Sequence, residues 1–225
     1  MNIEPLTGVL GAQINDVNLN DLNQLQIDEL CHEICVHQVV VIPDQSLSPE
    51  EQTRFSHLLG PYSPVPFVEP IPGYPEVIKV IKKESESKAF NFGGVWHSDF
   101  SFLESPPAFT ILHALEVPTI GGDTVWTSNC AAYEALDDES KDRFETITCV
   151  HSASASYSPK QQSVHSGLSG MDIRTSTEAE ETREHPLVCK HPTTGDKSLF
   201  FNGTYVRGLK GDGINSPEDE LNLLI

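Results

Sequence analysis

Residues 91–102 read Asn-Phe-Gly-Gly-Val-Trp-His-Ser-Asp-Phe-Ser-Phe, which places a histidine and an aspartate two positions apart within an aromatic run. Side chains two positions apart in an extended strand point to the same face, so His97 and Asp99 are predicted to aim at one point. A neutral imidazole nitrogen and a carboxylate oxygen together suit one metal ion. The alternative is a hydrogen-bonded pair at the end of a strand, without a metal.

Two protein ligands are too few for such a site, and the usual completion is a second histidine from a distant strand. That set is the facial triad of non-haem Fe(II) oxygenases, which leaves positions open for a co-substrate and O2. His185 and His191 each precede a proline, which biases both towards extended backbone.

Further motifs follow the His-x-Asp pair in a fixed order. They are a Pro106-Pro107 step, a strand-like run over 109–115, and the segment Gly-Gly-Asp-Thr-Val-Trp-Thr over 121–127. The ordered set Trp-His-x-Asp, Pro-Pro and Gly-Gly-Asp-Thr-x-Trp resembles the taurine dioxygenase (TauD/TfdA) family of oxygenases that depend on Fe(II) and 2-oxoglutarate. The resemblance extends over nearly the whole chain, from residues 8–12 to His191-Pro192.

The resemblance implies a fold and a ligand set. The fold would be mainly β with flanking helices (α+β), built on a double-stranded β-helix or jelly roll. Fe(II) would be held by His97, Asp99 and a distal histidine, and 2-oxoglutarate would chelate the iron and contact Thr124. Asn91 and Phe201 would line the substrate pocket.

The implied activity is an Fe(II)- and 2-oxoglutarate-dependent dioxygenase. It would use O2 to hydroxylate a small organic acid or sulfonate-like substrate, with release of succinate and CO2. Two alternatives remain open at this stage. One is a metal-dependent cupin-like enzyme that does not use 2-oxoglutarate, and the other is a non-catalytic or degenerate jelly-roll domain in which the pair is structural.

The distal half of the family's ligand set has no counterpart in this sequence. In the family, a segment resembling Trp-Asp-Asn-Arg-x-x-x-His supplies the third iron ligand and the arginine for 2-oxoglutarate, but the last histidine here is His191. Ser216 begins a predicted helix, yet the chain ends at Ile225. We therefore expect the amino-terminal part of a longer protein, with the last strands of the jelly roll missing. The alternative is a naturally short, degenerate member.

Composition limits the classes of partner. The length of 225 residues predicts one domain over 1–225, which the resemblance implies is an oxygenase domain, and the net charge of −19 argues against a nucleic-acid partner. We expect no signal peptide, because the amino terminus lacks a basic head and an apolar stretch, and no run approaches the ~20 apolar residues that a membrane span needs. The five scattered cysteines are typical of reduced thiols in a cytoplasmic protein. The expected partners are a small-molecule substrate and O2, and a homo-oligomer stays open.

Local patterns predict the secondary structure. Helices are expected from Asp21 to about His37 and from Pro49 after a Ser48 cap, with further helical pieces over 129–136 and 142–144. The predicted strands cover 39–43, 77–81, the His-x-Asp segment, 109–115, 124–127 and 146–150, and a hairpin is predicted within 185–202. Residues 151–184 are rich in Ser, Thr, Gln and Glu and predict a polar insertion or lid.

Overall fold

The computed structural model describes residues 1–86, 91–211, 214–216 and 218. The chain divides into two compact units. The first comprises Met1–Pro61, Phe109–Leu136 and Lys190–Ser198, and the second comprises Tyr62–Ala108, Asp137–Cys189 and Leu199–Ile225. The fold is mixed α+β with several small sheets. The predicted helix at Ser216 falls mainly on residues outside this description.

The first unit combines a small sheet with three helices. Its sheet contains strands β1 (Asn2–Pro5), β2 (Ala12–Asn15) and β3 (Val40–Val41), in which β2 pairs antiparallel with β1 and parallel with β3. The helices are α1 (Gln24–His37), α2 (Pro49–Leu59) and α3 (Asn129–Glu134). A 3-10 turn covers Leu19–Asp21. The core contains Ile14, Leu19, Ile27, Leu30, Leu47 and Phe55.

Local capping explains why the predicted helices form where they do. Ser48 accepts a hydrogen bond from the Glu51 backbone and Glu51 caps Ser48 in return, with proline at the first helical position of α2. Asn23 and Gln26 make the same reciprocal box at the start of α1. Both helices confirm the predictions made for them.

Two predicted strands in the first unit are wrong. Residues 109–115 and 124–127 contain no strand, although their composition favours one. Among the described residues neither segment pairs with a strand, and a strand needs such a ladder for its backbone donors and acceptors. Five apolar side chains between 112 and 125 are 62–91% exposed: Leu112, Leu115, Val117, Ile120 and Val125.

The second unit is built on a three-stranded antiparallel sheet. Strand β6 (Thr148–Ser152) lies between β7 (Thr182–Pro186) and β10 (Val206–Lys210). A separate pair joins β4 (Pro70–Ile71) to β5 (Tyr74–Ile78). Its helices are α4 (Asp138–Phe144), α5 (Ser154–Tyr157) and α6 (Gln162–His165). The predicted hairpin is confirmed as β8 (Val188–Lys190) with β9 (Lys197–Leu199).

Two buried clusters stabilise the second unit. One packs aromatic and aliphatic residues around Phe67, Phe102, Tyr157 and Tyr205. The other packs under the three-stranded sheet and contains Ile147, Cys149, Leu187, Val206 and Leu209. Cys149 and Leu187 have no exposed surface, so the three-stranded sheet is closely packed against this cluster.

The polar stretch 151–184 is compact where it was expected to be irregular. It contains α5 and α6 with 3-10 turns at Pro159–Gln161 and Thr177–Glu180, and it buries Tyr157, Met171 and Ala179. Its interpretation as a lid stays a prediction. None of the helices in the described residues has the length and apolar character that crossing a membrane requires.

Candidate metal centre

His97 and Asp99 lie side by side in the second unit. The Nε2 atom of His97 is 3.1 Å from Oδ1 of Asp99, and its Nδ1 atom is 2.7 Å from the carbonyl oxygen of Val95. The two side chains keep 27% and 36% of their surface exposed. The expected strand is wrong here, because residues 95–98 are irregular and a turn begins at Asp99. The two side chains nevertheless point at each other.

The hydrogen bond to Val95 fixes where the imidazole carries its proton. A carbonyl oxygen only accepts, so Nδ1 of His97 must donate to it. In the neutral ring Nε2 then presents a lone pair to the Asp99 carboxylate, which is also an acceptor. Two acceptors at 3.1 Å repel each other unless a positive charge lies between them. That charge is either a proton on Nε2 or a cation bound by both atoms.

The spacing of the two atoms fits a metal ion. Bonds of about 2.1 Å to a histidine nitrogen and a carboxylate oxygen, at a right angle, place the donor atoms about 3.0 Å apart. The observed 3.1 Å agrees with that value. The contact to Val95 is the kind of outer hydrogen bond that orients metal-bound histidines. Among the described residues no three His, Cys, Asp or Glu side chains come together as a metal site, so the pair offers two ligands.

Without a metal, a proton holds the pair together. The hydrogen bond to Asp99 is the largest influence on the pKa of His97 and raises it above 6.5. Partial burial opposes this rise, while the Val95 carbonyl and the charge of Asp99 support it. A metal ion at this site therefore competes with a proton whose binding is stronger than in a free imidazole.

Three unusual backbone positions flank the His97–Asp99 pair. Gly93 has φ +70°, and a Cβ atom on Gly94 would lie 3.1 Å from the carbonyl oxygen and Cβ of Asn91. Phe100, directly after Asp99, has φ +49° in the left-handed region. This conformation costs a residue with a bulky side chain about 1–2 kcal/mol. The surrounding structure must therefore hold the turn in place.

An aromatic wall adjoins the histidine. The ring of Tyr205 meets that of His97 edge-on at 6.5 Å, and Phe102 meets Tyr205 at 4.8 Å. The hydroxyls of Tyr157 and Tyr205 hydrogen-bond each other, and burial raises the pKa of both phenols. Both phenols therefore stay neutral at physiological pH, and Tyr205 presents the edge of an aromatic ring to His97.

A buried polar group formed by His151, Ser101 and Asn202 lies beside the His97–Asp99 pair and was not predicted from the sequence. His151 on β6 and Ser101 have no exposed surface, and Nδ1 of His151 lies 3.0 Å from Oγ of Ser101. Asn202 donates to the same Oγ at 2.9 Å. Burial lowers the pKa of His151 to about 4, so its ring is neutral. One signal was available, because His151 continues the alternation of Ile147 and Cys149 on a buried strand face.

The remaining predicted site residues lie in different surroundings. Asn91 is exposed, and its backbone carbonyl oxygen accepts a hydrogen bond from the Gly94 backbone at 3.1 Å. Phe201 is half-buried and packs against the cluster under the sheet. Thr124 belongs to the first unit and is exposed in the irregular stretch 122–128. Their roles in binding stay predictions.

Comparison with known proteins identifies the family. The sequence profile of "Taurine catabolism dioxygenase TauD, TfdA family" matches residues 2–225. A Schizosaccharomyces pombe protein, provisionally named an alpha-ketoglutarate-dependent sulfonate dioxygenase, is 33% identical over 219 residues, which are 93% of this chain and 53% of that protein. The alpha-ketoglutarate-dependent sulfate ester dioxygenase of Pseudomonas putida is 27% identical over 213 residues, 94% of this chain and 69% of that protein.

A solved structure shares the fold. The crystal structure of AAD-2 in complex with Mn(II) and N-oxalylglycine superposes with a TM-score of 0.72 at 26% identity, over 99% of this chain and 76% of that one. The chain therefore belongs to the TauD/TfdA family. It spans about half the length of the first of these relatives.

Proposed function

We propose that the whole protein is an Fe(II)- and 2-oxoglutarate-dependent dioxygenase that acts on a small sulfonate or sulfate ester. The observation that carries the proposal is the position of the His97 Nε2 atom 3.1 Å from Oδ1 of Asp99, with the opposite ring nitrogen 2.7 Å from the Val95 carbonyl oxygen. When bound, iron with 2-oxoglutarate supplies O2-dependent oxidation of a substrate C–H bond, with release of succinate and CO2. The relatives' names support both the co-substrate and the substrate class.

Each residue would have a defined task. His97 and Asp99 would supply two adjacent ligands, and the Val95 carbonyl would keep the lone pair of His97 available. Tyr205 would cover one side of the pair and exclude water from it. Within the proposed jelly roll, Thr124 would contact 2-oxoglutarate, while Asn91 and Phe201 would line the substrate pocket. The third ligand and an arginine would come from polypeptide outside these 225 residues, or from a second copy of the chain.

An anionic substrate needs positive charge nearby, and two of the arginines in the second unit already pair with carboxylates. Arg174 pairs with Glu69 at 2.6 Å, and Arg183 pairs with Glu181 at 2.9 Å. The net charge of −19 would repel a sulfonate at long range. Arg207 donates to the backbone carbonyl oxygens of Gly203 and Val206 and is not part of the proposed ligand set, whose arginine belongs to the family's distal segment.

The test uses the protein expressed from its native gene and purified. It is incubated with Fe(II), 2-oxoglutarate and O2 and a panel of alkyl sulfonates and alkyl sulfate esters, and succinate is measured together with sulfite and sulfate. We expect succinate formation that depends on one class of substrate. His97→Ala should abolish it, while His32→Ala, at an exposed position of α1, should not.

The other outcomes separate the alternatives. Metal binding that requires His97 without any consumption of 2-oxoglutarate would indicate a metal-dependent enzyme of another chemistry. A protein that binds no divalent metal, with or without His97, would indicate a non-catalytic domain in which the pair is structural. Either result would contradict the proposed function.

A further inference from the structure

We propose that four side chains beside the metal loop, residues 96–103, act as positioning residues for the candidate metal centre. They are His151, His185, Asn202 and Thr204. The inference rests on the proposed function, because it assigns these residues the task of holding His97 and Asp99 at metal-binding geometry. None of the four was predicted to belong to the site.

One contact fixes the entry to the loop. The hydroxyl of Thr204 donates to the carbonyl oxygen of Trp96 at 2.8 Å. Trp96 directly precedes His97, and its own side chain is largely exposed, so its backbone gains little support from packing. Thr204 lies in the turn that leads into β10, so this hydrogen bond ties the first ligand to the sheet.

Three contacts fix the exit from the loop. The Ser101 hydroxyl, two residues after Asp99, lies 3.0 Å from Nδ1 of His151 and accepts a hydrogen bond from Asn202 at 2.9 Å. Oδ1 of Asn202 in turn accepts from the Tyr205 backbone at 2.8 Å. Nε2 of His185 lies 2.9 Å from the carbonyl oxygen of Leu103 and donates to it. His151 and His185 stand on the adjacent strands β6 and β7.

The loop needs these anchors because it has little structure of its own. Residues 96–103 form no helix or strand, and Phe100 holds a left-handed conformation directly after Asp99. The backbone hydrogen bonds within it are short-range, from Ser101 to Ser98 and from Leu103 to Phe100. A site on such a segment keeps its geometry only if a rigid element supports it, and the three-stranded sheet is that element.

The surroundings of His151 favour an apolar residue, except for its hydrogen bond to Ser101. Its side chain is fully buried, and its Nε2 atom has no hydrogen-bond partner among the described residues. Its ring stacks on Phe200 at 5.3 Å, a contact that an apolar ring would make equally well. Since an unpaired buried nitrogen is unfavourable, packing alone would favour an apolar residue here. The contact from Nδ1 to Ser101 explains why histidine occupies the position.

The experiment compares two variants that both remove the ring. In His151→Asn the side-chain amide takes the place of Nδ1 and keeps a contact to Ser101, whereas His151→Leu leaves that hydroxyl without it. Two readouts are used: Mn(II) affinity by equilibrium titration, and amide hydrogen exchange of peptides covering 96–103 in the metal-free protein. We expect about tenfold weaker Mn(II) binding and faster exchange of the loop in the leucine variant, both largely restored in the asparagine variant.

A second pair covers the case in which His151→Leu does not fold. Thr204→Val removes the hydroxyl that holds Trp96, and Thr204→Ser keeps it, at a partly exposed position. Unchanged exchange of 96–103 in the variants that lose their contact would overturn the inference, whatever the metal does. Faster exchange in a protein whose wild type binds no Mn(II) would instead contradict the proposed function, and with it the role in metal binding, while still showing that these side chains hold the loop.

Discussion

Replacing Asp99 by asparagine should weaken divalent metal binding by about a thousandfold. The change removes one negative charge about 2.1 Å from the bound ion. Even with a dielectric constant of about 80, as in water, Coulomb's law gives about 4 kcal/mol for this loss, which is about three decades in the dissociation constant. The high dielectric is the appropriate choice because 36% of the Asp99 side chain is exposed. A drier site would give a larger effect.

The substitution is also structurally mild. An asparagine amide can donate to the Nε2 lone pair of His97, so the loop should keep its shape without a metal. The assay is an anaerobic titration with Co(II) or Mn(II) at low ionic strength. Glu104→Gln is the matched control, since it removes a charge from the same segment at a side chain that is 87% exposed. Binding by Asp99→Asn within tenfold of wild type would refute the assignment of Asp99 as a ligand.

Three further predictions concern pH and stability. Because the pKa of His97 is raised above 6.5, metal affinity should fall as the pH drops through that raised pKa. In the metal-free protein, the stability that the protonated pair contributes should be fully present below pH 6.5 and lost as the pH rises through the raised pKa. Titrations and thermal melts with and without Mn(II) at several pH values check both signs, and His97→Gln should abolish both. The pKa of His151 is lowered to about 4, so its neutral ring contributes stability that is present above pH 6.5. About 3 kcal/mol of the unfolding free energy should be lost as the pH falls towards 4. His151→Asn should remove this loss, which urea unfolding at pH 4.5 and pH 7 would measure. Ser48→Ala removes the cap of α2 and should cost about 1 kcal/mol by the same measurement, whereas an unchanged unfolding free energy would show that the capping box is not stabilising.

The helices could be predicted because their signals are local. Ser48 and Glu51, or Asn23 and Gln26, lie three positions apart and define a helix start without knowledge of the rest of the chain. The strands at 109–115 and 124–127 were predicted wrongly for the opposite reason. Their composition suits a sheet, but a strand exists only where a second strand pairs with it, and that partner is not encoded in the segment itself.

The candidate site shows the same difference between local signals, which the sequence reveals, and long-range contacts, which it does not. The spacing of His97 and Asp99 was visible in the sequence, and so was the proximity of their side chains. The support of the loop was not visible, because Ser101 meets His151 across 50 positions and Asn202 across 101. The stretch that contains His151 also has a polar composition typical of an insertion, which hid a buried histidine at its first position.

The metal centre is tested most directly by a crystal structure of the protein with Mn(II), using the anomalous signal to locate the ion. We expect one Mn(II) within bonding distance, about 2.2 Å, of both Nε2 of His97 and an Asp99 carboxylate oxygen, with Nδ1 still donating to Val95. An ion bound elsewhere, or a His97 ring that stays hydrogen-bonded to Asp99 in saturating Mn(II), would contradict the claim that this pair is a metal centre.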